Sequence, residues 1–180
     1  MASILVVGTG DIGGHLAQDL AREGHDVTGV RRSDKPVGEG VQVISADVSD
    51  ASTLTDLPDN IDIVVYSVAA PVFSKEGYHA YYVKGLKNIL KKLKGQTPKR
   101  VFFVSSSSVY HQMDGEWVDE NSETTPSSFA GKEMLATGVG NAHLRPVALA
   151  PFGQHHRPLG IDRAVDNIGI SHHPRQNLQA

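Results

Sequence analysis

Apolar residues along this chain form short unbroken runs, separated by segments in which they recur every three or four positions. Ile4-Leu5-Val6-Val7 is the first run. A continuous β-branched stretch of that length suits a parallel strand buried on both faces, since an exposed face would bring a polar residue to every second position. Ile12, Leu16, Leu20 and Ala21 then repeat at helical spacing, and Gly24 can end that helix in a left-handed conformation. Further strands are predicted from Val27 to Val30, Val41 to Ile44, Ile61 to Tyr66 and Val101 to Val104. Between the last two, Tyr78, Tyr82, Leu86, Ile89, Leu90 and Leu93 mark one face of a single amphipathic helix from Lys75 to Lys94, closed by Gly95. Alternating strands and helices predict an α/β fold, a doubly wound parallel sheet.

The turn between the first strand and first helix reads Gly8-Thr9-Gly10-Asp11-Ile12-Gly13. G-x-G-x-x-G is informative only in such a setting, after a buried strand and at the start of a helix. There Gly8 permits the tight turn, Gly10 lets the backbone approach a pyrophosphate, and Gly13 lets helix and strand pack closely. The helix start adds amide donors. The expectation is a Rossmann fold holding a nicotinamide dinucleotide, with Gly8, Gly10, Asp11, Ile12 and Gly13 at its phosphates.

Charge then narrows the ligand. At a net charge of −3 the chain has no basic field for nucleic acid or a membrane surface, so a small molecule is expected. The lysines gather near the end of the predicted Lys75 to Lys94 helix, where a solvated face and the helix dipole account for them. With no cysteine, disulfides and thiolate metal sites are excluded, and no basic region followed by an apolar run opens the chain. A cytoplasmic protein of one domain is expected from 180 residues, with a homodimer left open.

An NAD site usually carries an acid at the end of the second strand, but Val30-Arg31-Arg32-Ser33 stands there. Two guanidiniums match a 2'-phosphate, so NADP is expected over NAD, unless Arg31 and Arg32 are ordinary solvated residues. Asp47, with Val48, follows the third strand, where its carboxylate is placed to accept from an adenine amino group or to cap a helix. Ser67, Val68 and Ala69 follow the fourth strand and are expected to line the cofactor.

With these residues in place, the chain resembles the extended and atypical short-chain dehydrogenase/reductases, the NAD-dependent epimerase/dehydratase family, over about residues 1–136. The resemblance rests on Val6 to Gly13, Asp47-Val48, Val104 to Tyr110, Asp119-Glu120 and Thr125-Pro126. It implies that Ser106, three residues before Val109-Tyr110, polarises the substrate carbonyl or hydroxyl. The family's base is a Tyr in a Tyr-x-x-x-Lys pair. Here Phe129 or Ala130 stands at the tyrosine position and Glu133 or Met134 four residues on, while Lys132 reads as a surface lysine. Phenylalanine transfers no proton, which leaves Tyr110 as the nearest phenol, with a packed ring as its alternative role. Tyr82 replaces the first asparagine of the family's long-helix motif, and Asn88 keeps the second.

Residues 1–136 hold nine Lys, whereas 137–180 hold none and carry five of the nine His, so the division expected is a binding domain over 1–136 and an atypical tail over 137–180. That tail is expected to hold a last strand within His143 to Leu149 and otherwise loop or disorder. A reading-frame shift near residue 136 would explain the change; an internal deletion is the rival, because Leu144-Arg145-Pro146 is similar to a family strand motif. The family's substrate lobe is accordingly expected to be missing or altered. His155-His156 and His172-His173 lack the spacing of a metal site. Two functions follow from the residues: an NADP-dependent oxidoreductase or epimerase-like enzyme, or a nucleotide-binding sensor or remnant without turnover.

Overall fold

A computed structural model describes residues 1–112, 116–119, 121–139 and 144–148 of the chain. Six parallel strands form one sheet: β1 (Ser3–Val7), β2 (Asp26–Arg31), β3 (Val41–Ser45), β4 (Ile63–Tyr66), β5 (Arg100–Ser105) and β6 (Leu144–Ala148), in the spatial order β3-β2-β1-β4-β5-β6. The chain builds outward from β1 in one direction and then, from β4, in the other. That reversal opens a crevice beyond the carboxyl ends of β1 and β4, the place where open sheets of this kind receive ligands.

The unbroken apolar run of β1 feeds two cores at once. Ile4 and Val6 pack with Leu16 and Leu20 of helix α1 (Asp11–Arg22), whereas Leu5 and Val7 face Tyr66, Leu86, Ile89 and Phe103 on the other side. Ile4, Leu5, Val6 and Val7 are all fully buried, as the sequence pattern requires of a sheet covered on both faces. β4 is shorter than predicted, because Asp62 leaves the strand to clip the N-terminal edge: its carboxylate accepts from the Ser3 amide at 3.0 Å and from Lys99 Nζ at 2.8 Å.

The long helix also differs from its prediction. It comprises α2 (Lys75–Tyr78), a π-helical segment (His79–Lys84) and α3 (Gly85–Lys92), with the Ser74 hydroxyl accepting from the Gly77 amide at its start. Hydrophobic spacing does not reveal the wider turn, because Tyr78, Tyr82 and Leu86 stand four apart and that interval fits an α turn and a wider one alike. π segments recur at functional sites, and this one faces the crevice. The last helix, α4 (Phe129–Val139), packs on the serine turn after β5 and on the π segment.

Candidate functional site

The glycine loop is stitched across the three central strands. Gly8 donates its amide to the Val30 carbonyl at 2.8 Å, and Ser67 donates to the Val7 carbonyl at 2.7 Å. Gly8 sits at φ +91°, and a Cβ there would lie 2.5 Å from the Ser67 carbonyl oxygen; one on Gly13 would run into the Gly8 carbonyl. Both positions are closed to side chains by backbone alone. Gly10 is different, since a Cβ on it would meet nothing within 4 Å. The space above Gly10 is therefore open for something that is not protein. No side chain caps α1 at Gly10, which leaves first-turn amides available.

A cleft of about 660 Å³ opens there, walled by the loop Gly8–Ile12, by Val30–Ser33 after β2, by Ala46 and Val48 after β3, by Ser67–Ala69 after β4, and by Tyr81. Gly8, Gly10, Asp11, Ile12, Arg31, Arg32, Val48, Ser67, Val68 and Ala69 thus share one wall system, and Gly13 lies beneath it. Thr9 also lines the cleft; it is 4% exposed, and its Oγ1 has no partner. Buried hydroxyls are normally bonded. An orphaned hydroxyl, open space over Gly10, uncapped amides and two arginines together fit a phosphate-bearing dinucleotide.

Asp47 stands next to this wall with its carboxylate already engaged. Oδ1 accepts from the Ser49 amide at 2.9 Å and its hydroxyl at 2.7 Å, and Oδ2 accepts from the Tyr81 hydroxyl at 3.0 Å. Burial raises its pKa, but the Ser49 bonds, the Tyr81 bond and the Arg32 charge outweigh that and hold the carboxyl below its ordinary value. Arg31 reaches the Lys35 carbonyl at 3.4 Å, and the Arg32 guanidinium lies 5.7 Å from the Tyr81 ring centre.

The residues expected to act on substrate lie outside the cleft wall. Ser106 caps the turn Ser107–Val109, its hydroxyl accepting from the Ser108 amide at 3.2 Å, and Tyr110 is half-buried against the core. At the place of the family's Tyr-Lys pair, the Phe129 ring meets the tilted ring of Phe73 at 4.9 Å and Tyr78 edge-on at 5.6 Å, while Glu133 accepts from His79 Nδ1 at 2.9 Å. Ala130 and Met134 are buried in the core, so neither alternative alignment brings a proton-transfer group there. Tyr82 offers a phenol near the Ser67–Ala69 wall, where its oxygen accepts from the Ala70 amide at 3.4 Å. Burial pushes its pKa up, only partly opposed by that bond, so it remains a protonated donor at neutral pH.

Sequence reasoning missed Tyr81 as a cleft residue and Tyr82 as a phenol beside the cleft wall. Thr9 stands inside the motif and was legible as a loop hydroxyl, whereas nothing in the spacing announces the π turn that presents Tyr81. Asp119 closes a small turn onto Asn121 and Ser122. Glu120 and the pairs His155-His156 and His172-His173 lie outside the described residues. Among the described residues, no group of three metal-binding side chains occurs and no helix is long and apolar enough to cross a membrane.

Residues 8–157 match the NAD(P)H-binding family, a span that continues past residue 136 and includes β6. Among solved structures, a Methylobacillus flagellatus protein described as an NAD-dependent epimerase/dehydratase is 40% identical, with a TM-score of 0.67 over 82% of this chain and 52% of that one. MoeE5, solved with UDP-glucose and NAD, is 28% identical, with a TM-score of 0.65 over 81% of this chain and 52% of its own. A short-chain dehydrogenase/reductase superfamily protein from Agrobacterium tumefaciens with bound NAD is 22% identical, with a TM-score of 0.68 over 81% of this chain and 48% of its own, which shows a shared fold. The chain spans about half the length of these structures. No curated protein gives a significant match. A strand order that reverses at β1 and β4, a glycine loop closed to side chains at Gly8 and Gly13, and a family match over most of the chain agree: this chain belongs to the NAD(P)H-binding family, and the solved structures it resembles include proteins described as NAD-dependent epimerase/dehydratases.

Proposed function

We propose that the protein binds NADP(H) in preference to NAD(H) and is an atypical oxidoreductase or epimerase-like enzyme for a small carbonyl or sugar-like substrate. The observation that carries the coenzyme choice is the end of β2, where Arg31 and Arg32 border the cleft and no carboxylate stands in the position that NAD sites usually give to an acid. Guanidinium groups donate in-plane, charge-assisted hydrogen bonds matched to phosphate oxygens. Bound in the cleft, the nicotinamide supplies hydride-transfer chemistry. Gly10 and the first turn of α1 hold the pyrophosphate, the small residues Ser67, Val68 and Ala69 line the wall beside it, and Ser106 orients the substrate. The UDP-glucose bound by MoeE5 supports a sugar-like substrate.

The place of the Tyr-Lys pair favours a second reading, a nucleotide-binding module without turnover, because Phe129 and Glu133 form an aromatic cluster and a His-Glu contact there. Coenzyme choice is common to both readings and is tested by Arg31→Asp with Arg32→Ala. Each lost charge-assisted bond costs about 1.5–3 kcal/mol, so NADPH affinity is expected to fall at least about tenfold while NADH affinity is retained. Equal effects on both coenzymes would refute the assignment of the arginines.

A further inference from the structure

Tyr81 is held from three sides. Its carbonyl accepts from the hydroxyl of Tyr66, which is wholly buried; its own hydroxyl donates to Asp47 Oδ2 at 3.0 Å; and its ring lies 5.7 Å from Arg32 Cζ. The residue belongs to the π-helical segment and forms part of the cleft wall with Arg31, Arg32 and Ser33. Arg32 is exposed and forms no ion pair among the described residues, although Asp47 is close enough to feel its charge. An exposed arginine without an anchor spreads over many rotamers, and ordering it on ligand binding costs affinity. A ring beside a guanidinium restrains it through the cation–π attraction without occupying its N–H donors as a carboxylate would.

We infer that Tyr81 is a positioning residue for NADP: fixed by Tyr66 and Asp47, its ring holds the Arg32 guanidinium at the cleft edge with its donors available to a 2'-phosphate. The same contact keeps Asp47 from competing. With one oxygen on Ser49 and the other on the Tyr81 hydroxyl, the carboxylate is satisfied without Arg32. This inference rests on the NADP reading above and adds to it a residue outside the phosphate's own contacts.

Calorimetric titration of the whole chain with NADPH and NADH tests it, using Tyr81→Met, Tyr81→Phe, Arg32→Ala and the double variant Tyr81→Met with Arg32→Ala. Methionine fills the half-exposed site and suits a helix, and retained NADH affinity reports an intact cleft. Tyr81→Met is expected to weaken NADPH roughly fivefold and leave NADH nearly unchanged, the size of a partly exposed cation–π contact. Tyr81→Phe, which keeps the ring but frees Asp47 Oδ2, is expected to lose part of the preference, less than Tyr81→Met does. In the Arg32→Ala background, Tyr81→Met is expected to have no further effect on the NADPH to NADH ratio, since residues acting through one contact are not additive. A wild-type chain without NADPH preference would overturn the NADP reading and this inference with it. A wild-type preference that survives Tyr81→Met, or a Tyr81→Met effect that persists at full size without Arg32, would overturn the role of Tyr81 alone.

Discussion

Gly10 and Gly8 stand two residues apart in one loop, yet the structure assigns them opposite reasons for being glycine. Gly10 has φ −78° and no atom within 4 Å of an added Cβ, so a side chain there meets solvent in the free protein. For Gly10→Val the expected loss of stability is only about 0.5–1 kcal/mol, from the poorer helix N-cap. Gly8 has φ +91°, and an added Cβ would lie 2.5 Å from the Ser67 carbonyl oxygen and 2.8 Å from the Val68 Cα. Those are backbone atoms of the segment leaving β4, pinned to β1 by the Ser67 amide's bond to the Val7 carbonyl, and cannot swing aside. Left-handed strain and overpacking together put Gly8→Ala at about 3 kcal/mol of destabilisation, which lowers Tm by roughly 6–12 °C in a domain of this size. Binding should separate the pair the other way. Valine at Gly10 fills the space through which a pyrophosphate reaches the loop amides, and losing two charge-assisted bonds alone predicts at least about a hundredfold weaker NADPH. Thermal unfolding without ligand and calorimetric titration with NADPH read the two effects independently. Gly10→Val binding within a few-fold of wild type would refute the phosphate-loop assignment. A Gly10→Val Tm loss equal to that of Gly8→Ala would refute the claim that its space belongs to a ligand.

Asp47, whose carboxyl titrates below its ordinary value in the folded chain, contributes stability that is complete above its unfolded pKa and is lost as pH falls through the lower folded one. The Tm difference between wild type and Asp47→Asn is therefore expected to be full at about pH 6 and to close as pH drops below about 3.9; a gap that widens on acidification would contradict the sign. Turnover with a panel of carbonyl compounds is expected to be slow, since general acid-base catalysis is worth roughly 10²–10⁴-fold and neither Phe129 nor Glu133 restores the Tyr-Lys pair. If turnover is measurable, Ser106→Ala should remove it while Tyr110→Phe leaves it unchanged; the opposite pattern would transfer the chemistry to Tyr110.

The fold was legible wherever burial follows directly from local pattern. Ile4 to Val7 could only be a strand covered on both faces, and a glycine loop between it and a helix locates the crevice from the sequence alone. Backbone geometry fixes that loop, so its glycines carry their reasons in the sequence. Side-chain partners made across the sheet carry no such signal. Asp47 lies where an adenine contact was expected, but Ser49 is two residues away while Tyr81 comes from a helix far along the chain, and only tertiary packing brings the two to its two oxygens. The π turn hid for a related reason: hydrophobic spacing records which residues face the core and is blind to one extra residue within a turn. Ser106 shows a third case. Its position in the serine run was readable, but a short hydroxyl there can cap a turn, and it bonds the Ser108 amide.

Coenzyme choice tests the arginine pair at the end of β2 most directly. Titration calorimetry of the wild-type chain with NADPH and with NADH, at one ionic strength, is expected to give tighter binding of NADPH by about tenfold or more, the value of at least one charge-assisted bond to the 2'-phosphate. Equal affinities, or tighter NADH, would contradict the role assigned to Arg31 and Arg32.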